Sequence, residues 1–307
     1  MISLLLMNKI LQLFLIMILG YIIVKVKIVK AEESVVLSKI SLYLVMPCVI
    51  INAFQVDFKK DIQQGLLLAF VAAIIIHVLL IGFGYVSGRL FSFDEIDITS
   101  IIYSNAGNLI IPIVTSVLGN EWVIYSSAFV SVQLIFLWTH CKLMFSKEKN
   151  PDIRKILLNV NMIAILFGMT SMIVGIKFPV VINETISSIG NMIGPIGMLI
   201  TGMLVAGMNL KRIFSSEKVY KIAFLRMIFC PAIILMLIKL MHPDTLVHNG
   251  AEILLITFLA TATPTASTVT QFAQIYNKNA EYAGAINIMT TILCIVTMPI
   301  FVFLYYL

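Results

Sequence analysis

The stretch S-N-A-G-N-L-I-I-P, Ser104 to Pro112, lies inside an apolar run where a proline and clustered small polar residues do not belong. A second stretch of the same kind, T-A-T-P-T-A-S-T from Thr261 to Thr268, lies about half the chain further on. Proline removes a helical N–H and collides with a carbonyl of the preceding turn. In hydrocarbon nothing replaces the freed backbone bonds, so such a break is tolerated only where it lines a protected cavity. A matched pair of interrupted apolar segments in two halves of a chain points to the binding site of an inverted-repeat transporter.

Composition supports that frame. Hydrophobic residues make up 60% of the 307 and charged residues 12%, and mean hydropathy is +1.04. A soluble domain carries roughly twice that charge. At about 20 residues per span, the apolar length predicts ten transmembrane helices. They fall near 4–24, 35–55, 64–90, 98–118, 122–145, 154–176, 183–209, 218–241, 251–275 and 281–306. The runs are continuous rather than alternating, which argues against a β-barrel. The first run ends in no small-residue cleavage site and is expected to be a span rather than a removed signal peptide.

Lys and Arg set the orientation. Fifteen lie in loops 1–2, 3–4, 5–6, 7–8 and 9–10, against five on the other side (Lys9, Lys59, Lys60, Lys177, Lys239). This bias predicts cytoplasmic odd-to-even loops and extracytoplasmic termini. It also accounts for the net charge of +6 without a nucleic-acid partner; the partner it implies is the lipid bilayer. Five spans precede the polar midpoint stretch Ser146–Lys155, so the second half enters the membrane inverted. The expected fold is all-α and polytopic: one membrane domain, 1–307, of two inverted five-helix repeats, 1–146 and 154–307. Pro47 in span 2 and Pro195 in span 7 repeat at a similar separation to Pro112 and Pro264.

The candidate site residues cluster at the breaks. Asn105 and Asn108 lie at i and i+3, so on a regular helix they would share a face just before Pro112. Buried amides can glue helices together or face a substrate. In span 9, Thr263 before Pro264 reads as an N-cap followed by proline at the first helical position. The following half-helix, with Thr265 and Ser267, would then present free N–H groups and a positive dipole end to an anion. Met46 and Asn191, beside Pro47 and Pro195, are candidates for walls of the same cavity. Arg226, two turns into span 8, reads either as a snorkelling side chain or as a counter-charge to substrate.

Other residue types narrow the chemistry. No Asp or Glu falls at the middle of an expected span, which weakens proton or sodium antiport, although carbonyls and hydroxyls alone can hold sodium. Cys48, Cys141, Cys230 and Cys294 lack metal-ligand spacing and read as reduced packing residues. The His residues form no metal pattern, and hydrolase and nucleotide-binding motifs are missing. Neither enzyme activity, nor a metal, nor a cofactor is expected.

At these residues the chain resembles the auxin efflux carrier family, which includes plant PIN carriers and bacterial permeases described for malate or malonate. The most specific stretch is T-P-T-A-S-T-V-T-Q-F-A-Q-I-Y-N, Thr263 to Asn277, followed by a tenth span with Pro299. Asn105, seven residues before Pro112, is similar to the family's asparagine before the fourth-helix proline. The resemblance implies a fold shared with bile-acid symporters and some sodium–proton antiporters, in which helices 4 and 9 cross at their breaks. Helices 1, 2, 6 and 7 would form a scaffold, and 3–5 and 8–10 a mobile transport domain. Asn105, Pro112, Pro264 and Ser267 would sit at the crossover and Met46 on the scaffold wall; Asn191 matches a family polar position only with a shift of a couple of residues. The resemblance also implies a homodimer and, for plant carriers, a facilitator. The expected function is transport of a small organic anion by elevator-type alternating access. The alternatives are a sodium- or proton-coupled carboxylate symporter and a membrane sensor without transport.

Overall fold

The structure is a computed structural model. It describes residues 2–55, 60–146, 154, 158, 160–207, 216–242 and 245–307. Most of the midpoint loop, and Lys211 and Arg212 of the topology count, lie outside the described residues. So do the side chains of 2–10, 13, 42, 53, 108, 112, 115–117 and 120.

Among the described residues the chain is helical apart from turns and short extended crossings. Six helices are long and apolar enough to cross a membrane: Ala31–Asn52, Lys60–Phe91, Val123–Ser146, Val180–Ala206, Glu217–Leu240 and Ala280–Tyr306. Further apolar helical segments are shorter or broken: Phe14–Lys25, Val160–Val174 and Gly250–Ala262, with Glu95–Ile102 and Ala106–Val117. The outer surface is apolar, as a lipid-facing surface must be. On Lys60–Phe91 the residues Leu67, Val71, Ile74, Ile75 and Val78 are exposed at helical spacing, while Ala69, Ala73, Ile76 and Leu80 face inward.

Proline is accommodated inside these helices by local geometry. Wide turns at Ser41–Val45 and Leu225–Phe229 precede Pro47 and Pro231. A wide turn shifts the carbonyl register, which relieves the clash of a proline ring with the turn before it. The helix Ile193–Ala206 packs directly on Ile2–Lys25 through two glycines. A methyl on Gly202 would strike the Met17 carbonyl oxygen, and one on Gly20 the Leu199 carbonyl oxygen. Only glycine permits this backbone approach.

The two interrupted stretches meet in the interior. Glu95–Ile102 ends, Tyr103 and Ser104 run extended, Asn105 turns the chain, and Ala106–Val117 begins. Likewise Gly250–Ala262 ends, Thr263–Ala266 runs extended, and Ser267–Ile275 begins. The two extended pieces lie antiparallel, with Ser104 opposite Thr265. The Asn105 N–H donates to the Pro264 carbonyl at 2.7 Å, and the Ala266 N–H to the Tyr103 carbonyl at 2.9 Å. Each break thereby satisfies the other's peptide groups, which hydrocarbon could not do.

One local expectation is narrowed here and another corrected. The first break lies at the start of the Ser104–Pro112 stretch, at Tyr103–Asn105, and Pro112 itself is inside the half-helix Ala106–Val117. Tertiary partners open the chain there: the buried Gln133 amide accepts from the Ser104 N–H at 3.3 Å and donates to the Ser104 carbonyl at 2.8 Å. In the second break Thr263 and Pro264 do not start a helix. The N-cap is Ala266, and Pro264 lies in the extended piece because its carbonyl is taken by Asn105.

Candidate functional site

The crossing sorts helix ends by polarity. The half-helices Ala106–Val117 and Ser267–Ile275 both start there, and neither N-cap makes a side-chain capping bond. Their positive dipole ends thus lie at the crossing without a side-chain cap. A cleft opens on both ends, lined by Ser104, Asn105 and Gly107 of one break and Ala266, Ser267 and Thr268 of the other. Its further walls are Ser41, Met46, Gln133, Trp138 and Gln271, with Val130, Leu134 and Leu137. Asn105 is 5% exposed and Ser267 8%. The Ser267 hydroxyl lies 3.5 Å from Asn105 Oδ1 across the crossing. Cavity volume is about 20 Å³, room for water but not for an organic acid.

The preceding half-helices end at the same place, and their carbonyls are held by Arg226. This side chain is fully buried. Its guanidinium donates to the Ile101 carbonyl at 3.0 Å, the Thr261 carbonyl at 2.5 Å and the Thr263 carbonyl at 2.9 Å. Arg226 therefore does not snorkel. Guanidinium stays charged at any accessible pH and presents several donors in one plane, so one side chain holds the carbonyls at the ends of both broken helices. Thr265 assists: its hydroxyl donates to the Ser100 carbonyl at 3.0 Å.

The residues singled out in the sequence divide accordingly. Met46, Asn105 and Ser267 line the cleft together. Thr263, Pro264 and Thr265 are at the crossing but turned to backbone: the Thr263 hydroxyl donates to the Ala260 carbonyl at 2.9 Å, and Pro264 and Thr265 serve the paired extended pieces. Asn108 and Pro112 follow Asn105 in the half-helix, and their side chains lie outside the described ones. Asn191 is exposed at the junction of Val180–Gly190 and Ile193–Ala206 and does not line the cleft. That part of the chain walls a second, smaller cavity instead, through Ile200, Thr201 and Leu204, opposite Ser267, Thr270, Gln271 and Asn287.

Several polar residues of the site carry no sequence signal beyond being polar in an apolar run. Gln133 is one. Asn287 is another; it donates to the Thr265 carbonyl at 2.7 Å. Thr290 accepts from the Thr265 N–H at 3.2 Å. At one end of the broken helix, acidic residues are tied to neighbouring segments. Asp97 pairs with Lys218 and accepts from the Tyr282 hydroxyl at 2.7 Å, and Glu95 pairs with Lys278.

A family model described as membrane transport protein matches residues 5–302. The chain belongs to the auxin efflux carrier family. It is a membrane transport protein, and its apolar helices make it multi-pass. A search among curated proteins found no match.

Proposed function

We propose that this carrier moves a small organic anion whose carboxylate binds in the cleft at the crossing. One observation carries the reading: both positive helix ends open on the cleft, while both negative ends are taken by Arg226. Backbone N–H groups at two helix starts suit an anion and repel a cation. Asn105, Ser267 and Gln271 add polar groups, and Met46, Leu134, Leu137 and Trp138 offer apolar surface to the rest of the molecule.

The narrow cleft supports a cycle in which the site widens to admit substrate and closes around it. In this reading the fold has ten membrane helices as two inverted repeats, the breaks being the equivalent parts of each. The segments carrying the crossing move as a transport body against a scaffold that includes the glycine-tight pair Ile2–Lys25 and Ile193–Ala206. Transport is facilitated diffusion, with extracytoplasmic termini and a homodimeric assembly. Malate, malonate and an auxin-like aromatic acid all present a carboxylate for the two helix ends to hold once the cleft widens.

The test is counterflow of labelled carboxylates in proteoliposomes, with Asn105→Ala beside the parent protein. The backbone N–H of residue 105, not its side chain, bonds Pro264, so the crossing survives the substitution. Loss of an amide that binds a charged group lowers affinity by about 10- to 150-fold. Unchanged carboxylate affinity would overturn the assignment of Asn105, and no counterflow of any carboxylate by the parent would overturn the function.

A further inference from the structure

The carbonyl oxygens of Ile101, Thr261 and Thr263 converge at the crossing from two unwound helix ends. Such oxygens are the ligands from which membrane carriers build sites for a coupling cation. Here they are already occupied by a positive charge that cannot leave, on a side chain with no exposed surface. Among the described residues its partners are neutral carbonyls, with no carboxylate among them. That charge and the positive ends of the two half-helices act with the same sign on anything entering the cleft.

We propose that Arg226 is a resident counter-cation: it fills the carbonyl site a co-transported ion would need, so the carrier binds its anion without sodium or another metal ion. This rests on the carboxylate reading above and supplies its coupling. Arg226 is a positioning residue, since it acts through the helix ends and the field at the cleft rather than by touching substrate in the cleft lining.

A cation missing from a preformed site can be returned from solution. Arg226→Ala opens a guanidinium-shaped space facing three carbonyls. Malate counterflow is measured for the parent and for Arg226→Ala in sodium, choline and millimolar guanidinium. The parent is expected to exchange equally in sodium and choline. Arg226→Ala is expected to lose about 10- to 100-fold, the worth of its charged hydrogen bonds, and to regain most of that in guanidinium, with a smaller gain in sodium. A merely structural arginine would give a variant that no added cation restores, and that result would overturn the proposal, as would a parent that needs sodium.

A second readout is independent of substrate: guanidinium should raise the heat-unfolding temperature of purified Arg226→Ala saturably and leave the parent unchanged. If the parent transports no carboxylate, the function fails while this arm still decides the cation site; no rise would overturn that site. Should Arg226→Ala not fold, Arg226→Lys is assayed instead. It keeps a charge without the planar grip and should exchange malate in choline, well above an Arg226→Met variant of similar length. Equal exchange by the two would overturn the proposal.

Discussion

The tight packing of Ile2–Lys25 on Ile193–Ala206 makes a sharp prediction about Gly202→Ala. Replacing glycine by alanine inside a helix is favourable by about 1 kcal/mol on propensity alone. At Gly202 the added methyl would overlap the Met17 carbonyl oxygen and come within 2.8 Å of the Tyr21 backbone nitrogen. Neither atom can swing aside as a side chain would, so the two helices must separate, and overpacking of this kind costs about 1–3 kcal/mol. Gly82 is the control, because it sits in the helix Lys60–Phe91 with nothing within 4 Å of the place a methyl would occupy. The propensity gain is common to both substitutions. Their difference therefore isolates the clash, about 1–3 kcal/mol in favour of Gly82→Ala. Heat-unfolding midpoints of the purified variants in one detergent give the order directly. Gly82→Ala should equal or exceed the parent, and Gly202→Ala should fall below it, with Gly20→Ala following Gly202→Ala through the Leu199 carbonyl. A Gly202→Ala midpoint as high as that of Gly82→Ala would show that the two backbones do not touch.

Gly107→Ala should behave differently from Gly202→Ala, because its methyl meets the flexible Met46 methyl at 2.9 Å. Met46 yields within the cleft, so the unfolding midpoint should stay near the parent's while carboxylate affinity falls, read by counterflow at varied substrate concentration. Gln133→Leu strands the Ser104 N–H and carbonyl. Each unsatisfied group costs about 1–3 kcal/mol, so heat unfolding should show a marked drop together with loss of transport. Asp97→Ala removes the acceptor of the Asp94 N–H at 2.8 Å and of the Tyr282 hydroxyl, besides the pair with Lys218. Lys218 is 38% exposed and regains water, so the loss should be about 1–3 kcal/mol, near the hydrogen-bond share and below the full cost of a stranded buried charge. The unfolding midpoint checks it.

Much of the site was legible as composition at particular places. Asn105, Ser267 and Met46 stood out because polar or proline-flanked positions in an apolar run must be explained, and all three line one cleft. The same reasoning placed Thr263 and Thr265 there as ligands. Their hydroxyls instead serve carbonyls of the broken helices, a use that no spacing distinguishes from facing a cavity. Gln133, Asn287 and Thr290 carry no such mark, because a single polar residue in a span usually serves packing. Their roles depend on which peptide groups a different segment leaves open.

The amino-acid order alone determined that this chain belongs in a bilayer and that two of its apolar segments are the weakest as continuous helices. Both follow from local terms: side-chain transfer energies summed along each run, and prolines and small polar residues that weaken a helix wherever they occur. Where the first helix opens was a tertiary decision. It breaks at Tyr103–Asn105 rather than at Pro112 because Gln133 and the second extended piece take the peptide groups there. The role of Arg226 was decided in the same way. Read along the chain it is an arginine near a helix end, for which reaching toward water is the cheapest course. In the fold, two sets of helix-end carbonyls come within 3.0 Å of it, and a buried charge that costs several kcal/mol unpaired becomes the group that holds the negative ends of both broken helices.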